Sequence, residues 1–411
     1  MSSYLFKNAR IVDGSAAEPT EPIQVLVEDS HIREVGRTIS ASAAEVIDLT
    51  GKTLMPGLID CHVHTIASIA SFQRNAGLPD SLVAARASIV MRNMLMRGFT
   101  TVRDAGGADF GIKCAVEEGV FSGPRLVISG KALSQTGGHC DFRGRHNSRP
   151  EPRTGFALGA LGRVCDGVPD LRLAAREEIK GGADFIKIMA NGGAASPTDP
   201  IHFLGFSREE LLAVVEEAKN AGTYVAAHLY TDEAIRRAAE TGIHSLEHCN
   251  LIEPATAKFA ASQSAIAVPT LVTFEKLLAE GASSGYGADA LAKVEIVQSA
   301  GMESLSIMRE AGLPMAYGSD LLGPMHRHQS EEFLIRARVL PAHEIIASAT
   351  SVGARLCQME GKIGTIAPNA FADLIVVDGN PLDDLSLLAN QGGHMPLIMQ
   401  GGKIVKRTEL H

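Results

Sequence analysis

The spacing of apolar and polar positions changes its rhythm twice along the chain. Near the N-terminus it alternates with a period close to two, in "YLFKNARIVDG", "PIQVLVEDSHIREVG" and "AEVIDLTGKTLMPG", with glycine or polar turns between the runs. Near the C-terminus the pattern returns in "GKIGTIAPNAFADLIVVDGNP" and "HMPLIMQGGKIVKR". Such alternation predicts strands with one buried face. In the middle, short apolar runs alternate with amphipathic stretches. Eight runs read as strands: "GLIDCHVH", "FTTVRDAG", "PRLVISG", "DFIKIMAN", "TYVAAHLY", "HSLEHCN", "AIAVPTL" and "PMAYGSD". Between them lie stretches such as "SLVAARASIVMRNMLMRG", "DLRLAAREEIKGG", "SREELLAVVEEAKNAG", "TDEAIRRAAETG" and "EPATAKFAASQS". Their apolar residues recur at helical spacing, and several end on a glycine stop.

Eight strands, each followed by a helix, predict a closed parallel barrel with helices outside. An open doubly wound sheet is the alternative. The count of eight, and the lack of a GxGxxG after the first strand, favour the barrel. The predicted class is α/β: a (β/α)8 TIM-like barrel over 58–358, with a small β-sandwich domain built from both termini, 1–57 and 359–411. One stretch breaks the rhythm, the Gly-, Arg- and Pro-rich "SQTGGHCDFRGRHNSRPEPRTGFALGALGRVCDG". Loops of that length in a compact domain are commonly functional or disordered.

Composition narrows the function classes. With 411 residues, 45% of them hydrophobic, the chain can bury a large core. A net charge of −9 argues against a polyanion partner, and 5% aromatic residues with no Trp argue against stacking on single strands, so no nucleic acid is expected. No run approaches the roughly 18 apolar residues of a membrane span, so no membrane partner is expected either. The opening "MSSYLFKNARIVDGS" lacks the charged leader, apolar centre and small-residue cleavage site of a signal peptide. Six scattered cysteines (Cys61, Cys114, Cys140, Cys165, Cys249 and Cys357) show no CxxC pairing, which suits a reduced, cytoplasmic chain. A homo-oligomer is expected.

The candidate chemistry lies at the strand ends, where barrels of this kind build their sites. His62 and His64 end the first predicted strand. Lys187 lies in the fourth, His228 ends the fifth, His248 the sixth and Asp320 the eighth. Singly, each has an ordinary explanation: a strand-end His is commonly a hydrogen-bonded core residue, and a strand-end Asp commonly caps a helix. Together, four imidazoles, a lysine and a carboxylate are costly to bury at one end of one barrel unless something pairs them. A divalent metal centre does so. His62 and His64 stand at i and i+2, face the same side of a strand and can chelate one ion. Residues between strands four and six can hold a second. A protonated lysine has no lone pair, so Lys187 becomes a ligand only as a carbamate, formed with CO₂, whose two oxygens suit bridging. Asp320 completes the first ion's shell and takes a proton from the attacking water. Asp60, deeper on the same face, is expected to accept an imidazole N–H. Arg103 is expected in a buried ion pair with Asp104 or a neighbour, and Arg143, Arg145 and His146 on a solvated surface.

The "GLID-H-H" opening, the ligand series in strand order and the "ADLIVVDGNP" segment resemble the amidohydrolase superfamily of metal-dependent hydrolases, over nearly the whole chain. The resemblance implies two divalent ions, zinc first with Mn²⁺ and Co²⁺ as alternatives, bridged by carboxylated Lys187 and hydroxide. It places His62, His64 and Asp320 on one ion, and His228 and His248 on the other. Within the superfamily, "RDAGG", "SGKALSQTGGHCD", "FIKIMANGGAASPTDP", "HLYTDEAI", "SLEHCNLI" and "PTLVT" are similar to the branch of bacterial Xaa-Pro dipeptidases. That branch implies a dipeptide or small-molecule substrate whose amide nitrogen belongs to an amino acid with a free α-carboxylate, with Xaa-Pro or N-acyl-proline first. N-acyl-phenylalanine amides such as ochratoxin A are the main alternative. Xaa-Arg or Xaa-Lys dipeptides rank lower, since no acid in the matched motifs marks a cationic pocket. Imidazolonepropionase-like cyclic amide hydrolysis and a non-catalytic scaffold stand further back. His139, in "TGGHCD", and Tyr230, two residues past His228, are the candidates to bind the carboxylate.

Overall fold

The computed structural model describes residues 3–147, 157–194, 196 and 198–409. The two chain ends meet in one eight-stranded mixed sheet. Five strands come from the N-terminal side, Ser3–Ile11, Ile23–Glu28, His31–Gly36, Glu45–Asp48 and Thr53–Pro56. Three come from the C-terminal side, Leu374–Val377, Leu397–Gln400 and Lys403–Arg407. The join is antiparallel, with Leu374 opposite Pro56 and Val377 opposite Thr53. Period-two alternation puts Phe6, Val25, Val27, Leu54, Leu374, Val376, Leu397 and Met399 into one apolar core.

Seven predicted barrel strands form, at Leu58–Val63, Phe99–Asp104, Arg125–Ile128, Ile186–Met189, Val225–Thr231, Ser245–Leu251 and Ile266–Val268. Three details differ from the sequence pattern. The third strand breaks at Gly130, whose φ of +66° is left-handed, and resumes as Ala132–Ser134, where Leu133 pairs with Ile188. A further strand, Gly162–Val164, comes from the long loop and runs parallel beside it. The eighth segment, "PMAYGSD", forms no regular ladder. It sits between the seventh strand and the first, held by single hydrogen bonds: Ala316 N to Ala267 O at 2.8 Å, Cys61 N to Tyr317 O at 2.7 Å and Asp320 N to His62 O at 2.8 Å. Close approach explains it. A Cβ on Gly318 would meet Val268 Cγ1 at 2.6 Å and His62 Cβ at 3.0 Å, and Asp320 itself has a φ of +51°.

Two of the surrounding helices show their sequence signals directly. Ser207 and Glu210 form a reciprocal capping box before Arg208–Asn220, and Asp232–Thr241 ends on left-handed Gly242. The terminal sheet braces the barrel through Asp373, which accepts Gly57 N at its carbonyl (2.8 Å) and pairs with Arg125 through its carboxylate (2.9 Å). In the long loop, Arg145 and His146 are exposed as expected. Arg143 is a correction: it is half-buried and grips Asp141 at 2.6 Å. Residues 148–156 of that loop lie outside the described residues. Among the described residues no disulfide forms, and no helix is long and apolar enough to cross a membrane.

Candidate metal centre

The barrel strands bring His62, His64, Lys187, His228, His248 and Asp320 to one cavity, which His139 and Tyr230 also line; His228 and His248 lie mid-strand, within Val225–Thr231 and Ser245–Leu251, rather than at the strand ends expected from the sequence. Asp320 Oδ1 lies 3.1 Å from His64 Nε2 and 3.5 Å from His62 Nε2. Ring centroids are 4.9 Å apart for His62 and His248, and 4.8 Å for His228 and His248. Donor atoms of His62, His248 and Asp320 all lie within 4.8 Å of one another. That trio cuts across the division of ligands implied by the resemblance, so the two ion positions would adjoin at His248.

Local backbone sets these directions. The i, i+2 spacing brings both His62 and His64 to the cavity, while Val63 packs into the apolar core. At the sixth strand the alternation fails. His248 and Cys249 have φ of +71° and +57°, and the register against the fifth strand slips by a residue between Leu229 and Thr231. The kink lets two consecutive residues, Glu247 and His248, both serve the barrel interior.

Each imidazole is held at one nitrogen and turns the other toward the centre, where His64 Nε2 already meets Asp320 Oδ1 at 3.1 Å. His62 Nδ1 donates to Glu247 Oε2 at 2.7 Å, and His64 Nδ1 to the Gly106 carbonyl at 3.0 Å. His248 Nδ1 meets Thr270 Oγ1 at 2.7 Å. His228 is reversed: Nε2 donates to the Gly192 carbonyl at 3.2 Å, which leaves Nδ1 with the lone pair. A carbonyl or carboxylate partner can only accept, so it fixes the tautomer. The partner expected for His62, Asp60, is instead spent on backbone and side-chain donors: His62 N at 3.1 Å, Ser319 Oγ at 2.6 Å and Gln329 Nε2 at 2.9 Å. Glu247 takes that place, anchored by Arg103 Nη2 at 2.7 Å and by the Ser245 hydroxyl. Arg103 therefore pairs with Glu247 rather than Asp104, whose carboxylate caps Thr65.

Burial dominates the electrostatics. It drives His62, His228 and His248 far below the usual histidine range, helped by nearby cationic side chains, so all three rings are neutral and able to coordinate. For His64 burial pulls the same way, but the Asp320 carboxylate outweighs it and the net shift is upward. Burial raises Glu247, and Arg103 and Lys187 more than reverse this, so the carboxylate stays ionised. Lys187 is 1% exposed, is brought by burial to about 8, and forms no hydrogen bond or ion pair among the described residues. A buried amine without a partner, facing neutral rings with open lone pairs, is a donor set that fits divalent metal together with a modified lysine.

His139 stacks on His228 with centroids 4.3 Å apart, and its Nδ1 meets Ser196 Oγ at 2.9 Å. No side chain fits at Gly193, where a Cβ would lie 1.6 Å from the His139 ring. Lys293 ties down the loop that carries Gly193 and Ser196, donating to the carbonyls of Gly193 (2.8 Å) and Ser196 (2.9 Å). Tyr230 packs edge-on to His228 at 4.5 Å. The rest of the lining is largely apolar and aromatic, with Phe72, Phe274, Leu277, Tyr286 and Leu322. Glu247, Thr270, Ser196 and this aromatic lining were not singled out from the sequence. Only Glu247 left a signal there, an acid inside the apolar run beside His248.

The model of the amidohydrolase family matches residues 53–405. The chain belongs to the amidohydrolase family. Among solved structures, this amidohydrolase is similar to a prolidase complexed with N-methylphosphonate-L-proline, at 48% identity and a TM-score of 0.97 over 99% of this chain and 100% of that one. It is also similar to a Xaa-Pro dipeptidase with bound methionine, at 27% identity and a TM-score of 0.87, covering 98% and 100%. A curated relative, ochratoxinase of Aspergillus niger, is 28% identical over 86% of this chain and 75% of its own. The family and these relatives make the amidohydrolase a hydrolase of amide bonds.

Proposed function

We propose that this amidohydrolase cleaves the amide between an uncharged acyl group and an amino acid with a free α-carboxylate, proline first. The observation that carries the proposal is the joining of two sets of side chains in one cavity. Six metal-type groups stand together, and His139 and Tyr230, both able to donate to a carboxylate, line the same space. The whole-length likeness to a prolidase that binds a proline phosphonate supports it. Divalent ions, zinc first, would be held by His62, His64, carboxylated Lys187, His228, His248 and Asp320, and when bound supply Lewis acidity toward the amide carbonyl and the attacking water.

The chain's own groups do the rest. Asp320, 19% exposed at its side chain and beside His62 and His64, accepts the proton of the attacking water and delivers it to the leaving nitrogen. A proline nitrogen, tertiary in the amide, needs that proton to depart. His139 Nε2–H and the Tyr230 hydroxyl orient the carboxylate, and the Phe72–Tyr286 wall receives the acyl side. Among the described residues that line the cavity, Asp320 is the sole carboxylate, so nothing there matches an Arg or Lys side chain.

A second reading rests on the ochratoxinase relative and on the apolar wall: the same chemistry with phenylalanine as the leaving residue. A panel of dipeptides and N-acyl amino acids varied at the C-terminal residue separates the two. Hydrolysis confined to Pro supports the first, a preference for Phe the second. A substrate amide lacking the carboxylate that is cleaved equally well overturns both.

A further inference from the structure

Four rings face the centre, and their rear partners are unequal. His64 and His228 back onto neutral carbonyls and His248 onto a hydroxyl. His62 alone backs onto a carboxylate, Glu247 Oε2. The other oxygen of Glu247 is locked by Arg103 and Ser245, and Arg103 is itself fixed by the Cys61 carbonyl at 2.6 Å. Glu247, Arg103 and Ser245 are fully buried, so water cannot substitute for any of these contacts. A carboxylate behind an imidazole raises its basicity as a ligand more than a neutral acceptor does.

We infer that Glu247 is a positioning residue that makes the two ion positions unequal, with the ion held by His62 retained and the ion held by His228 surrendered first. This rests on the binuclear reading proposed above. It concerns how firmly each ion is kept, and not which amide is cleaved. The strut from Arg103 on the second barrel strand to Glu247 on the sixth ties this property to the barrel wall rather than to a loop.

The experiment follows metal release. Protein loaded with two equivalents of Zn²⁺ is mixed with excess chelator, and the metal left on the protein is measured over time. The wild type should release one equivalent quickly and one slowly. E247Q should speed the slow phase about 10–100-fold and leave the fast phase in place. T270V, which removes a neutral partner from His248, should speed the slow phase far less than E247Q does. Removing one partner of a buried ion pair can unfold a protein, whereas removing both is far less costly. If E247Q does not fold, E247Q/R103M carries the same measurement. Release rates in the folded Glu247 variant that match the wild type, or both phases speeding equally, would overturn the inference. A wild type that takes up no divalent ion would instead defeat the metal reading itself, and this inference with it.

Discussion

Leu54, Val27 and Val376 in the terminal sheet are fully buried among other apolar side chains. Arg103, Glu247 and Lys187 inside the barrel are just as buried, and all three are ionisable. Burial stabilises the first set by roughly 1.5–3 kcal/mol for each large side chain. It works against the second, which persists only where partners compensate. Arg103 and Glu247 have each other, whereas Lys187 makes no hydrogen bond or ion pair among the described residues and feels only the more distant charges of Glu247 and Asp320. The terminal sheet is therefore an element of stability, and the barrel mouth a place where stability is given up for chemistry. Substitutions in the two regions should separate these properties.

The largest effect is expected at Asp320. Asp320→Asn keeps the shape and suits the left-handed backbone, since Asn tolerates φ of +51° as readily as Asp. It removes the proton acceptor. Turnover of an N-acyl-proline should fall by about 10²–10⁴-fold while the melting temperature stays close to wild type. A variant with wild-type turnover would remove Asp320 from the chemistry. Leu54→Ala in the terminal sheet should do the reverse, costing about 2–5 kcal/mol in denaturant unfolding with kcat unchanged for the folded fraction. An L54A protein of full stability but low kcat would break the division between the regions.

The same division explains what the sequence made legible. Period two in the terminal runs and the strand–helix alternation gave the architecture, because apolar burial leaves a periodic trace. The six metal-type residues are legible as polar interruptions of the apolar strand runs, although Lys187, His228 and His248 stand within their strands rather than at the ends. Strict alternation points Glu247 away from a cavity that His248 faces, so its role is not legible from the strand pattern. The left-handed turn at His248 and Cys249 is a tertiary feature without a local signal. For the same reason Asp60 looked like the partner of His62: it stands on the correct face, but Ser319 and Gln329, far off in sequence, claim it. The eighth strand was legible as a position and not as a ladder, because the close approach of Gly318 to His62 appears only once the ring is closed.

A smaller effect is expected at His139, where a single hydrogen bond to a charged group is at stake. His139→Ala should lower kcat/KM for a carboxylate-bearing substrate by about 10–100-fold, chiefly through KM, in line with about 1.5–3 kcal/mol for such a bond. The same variant should treat a substrate amide without the carboxylate as the wild type does. Equal losses on both substrates would mean that His139 supports the His228 ring on which it stacks rather than the substrate.

Lys187 offers the subtlest test, because loss of function there should come with a gain in stability. In the metal-free protein its pKa falls from 10.5 to about 8 through burial. The unfolded chain then binds more protons than the folded one between those values, so stability rises with pH across that window. The penalty is fully present below pH 8 and is gone above 10.5. Lys187→Met keeps the apolar stem, fills the same space and has no charge to desolvate. Metal-free K187M should therefore unfold at higher denaturant than the metal-free wild type at pH 7, by on the order of 1–3 kcal/mol. The gap should close as the pH approaches 10.5, and the variant should be inactive at every pH. If K187M is instead less stable at pH 7, or its advantage does not change with pH, Lys187 is packed as part of the core, and the contrast between the terminal sheet and the barrel mouth fails at its most buried amine.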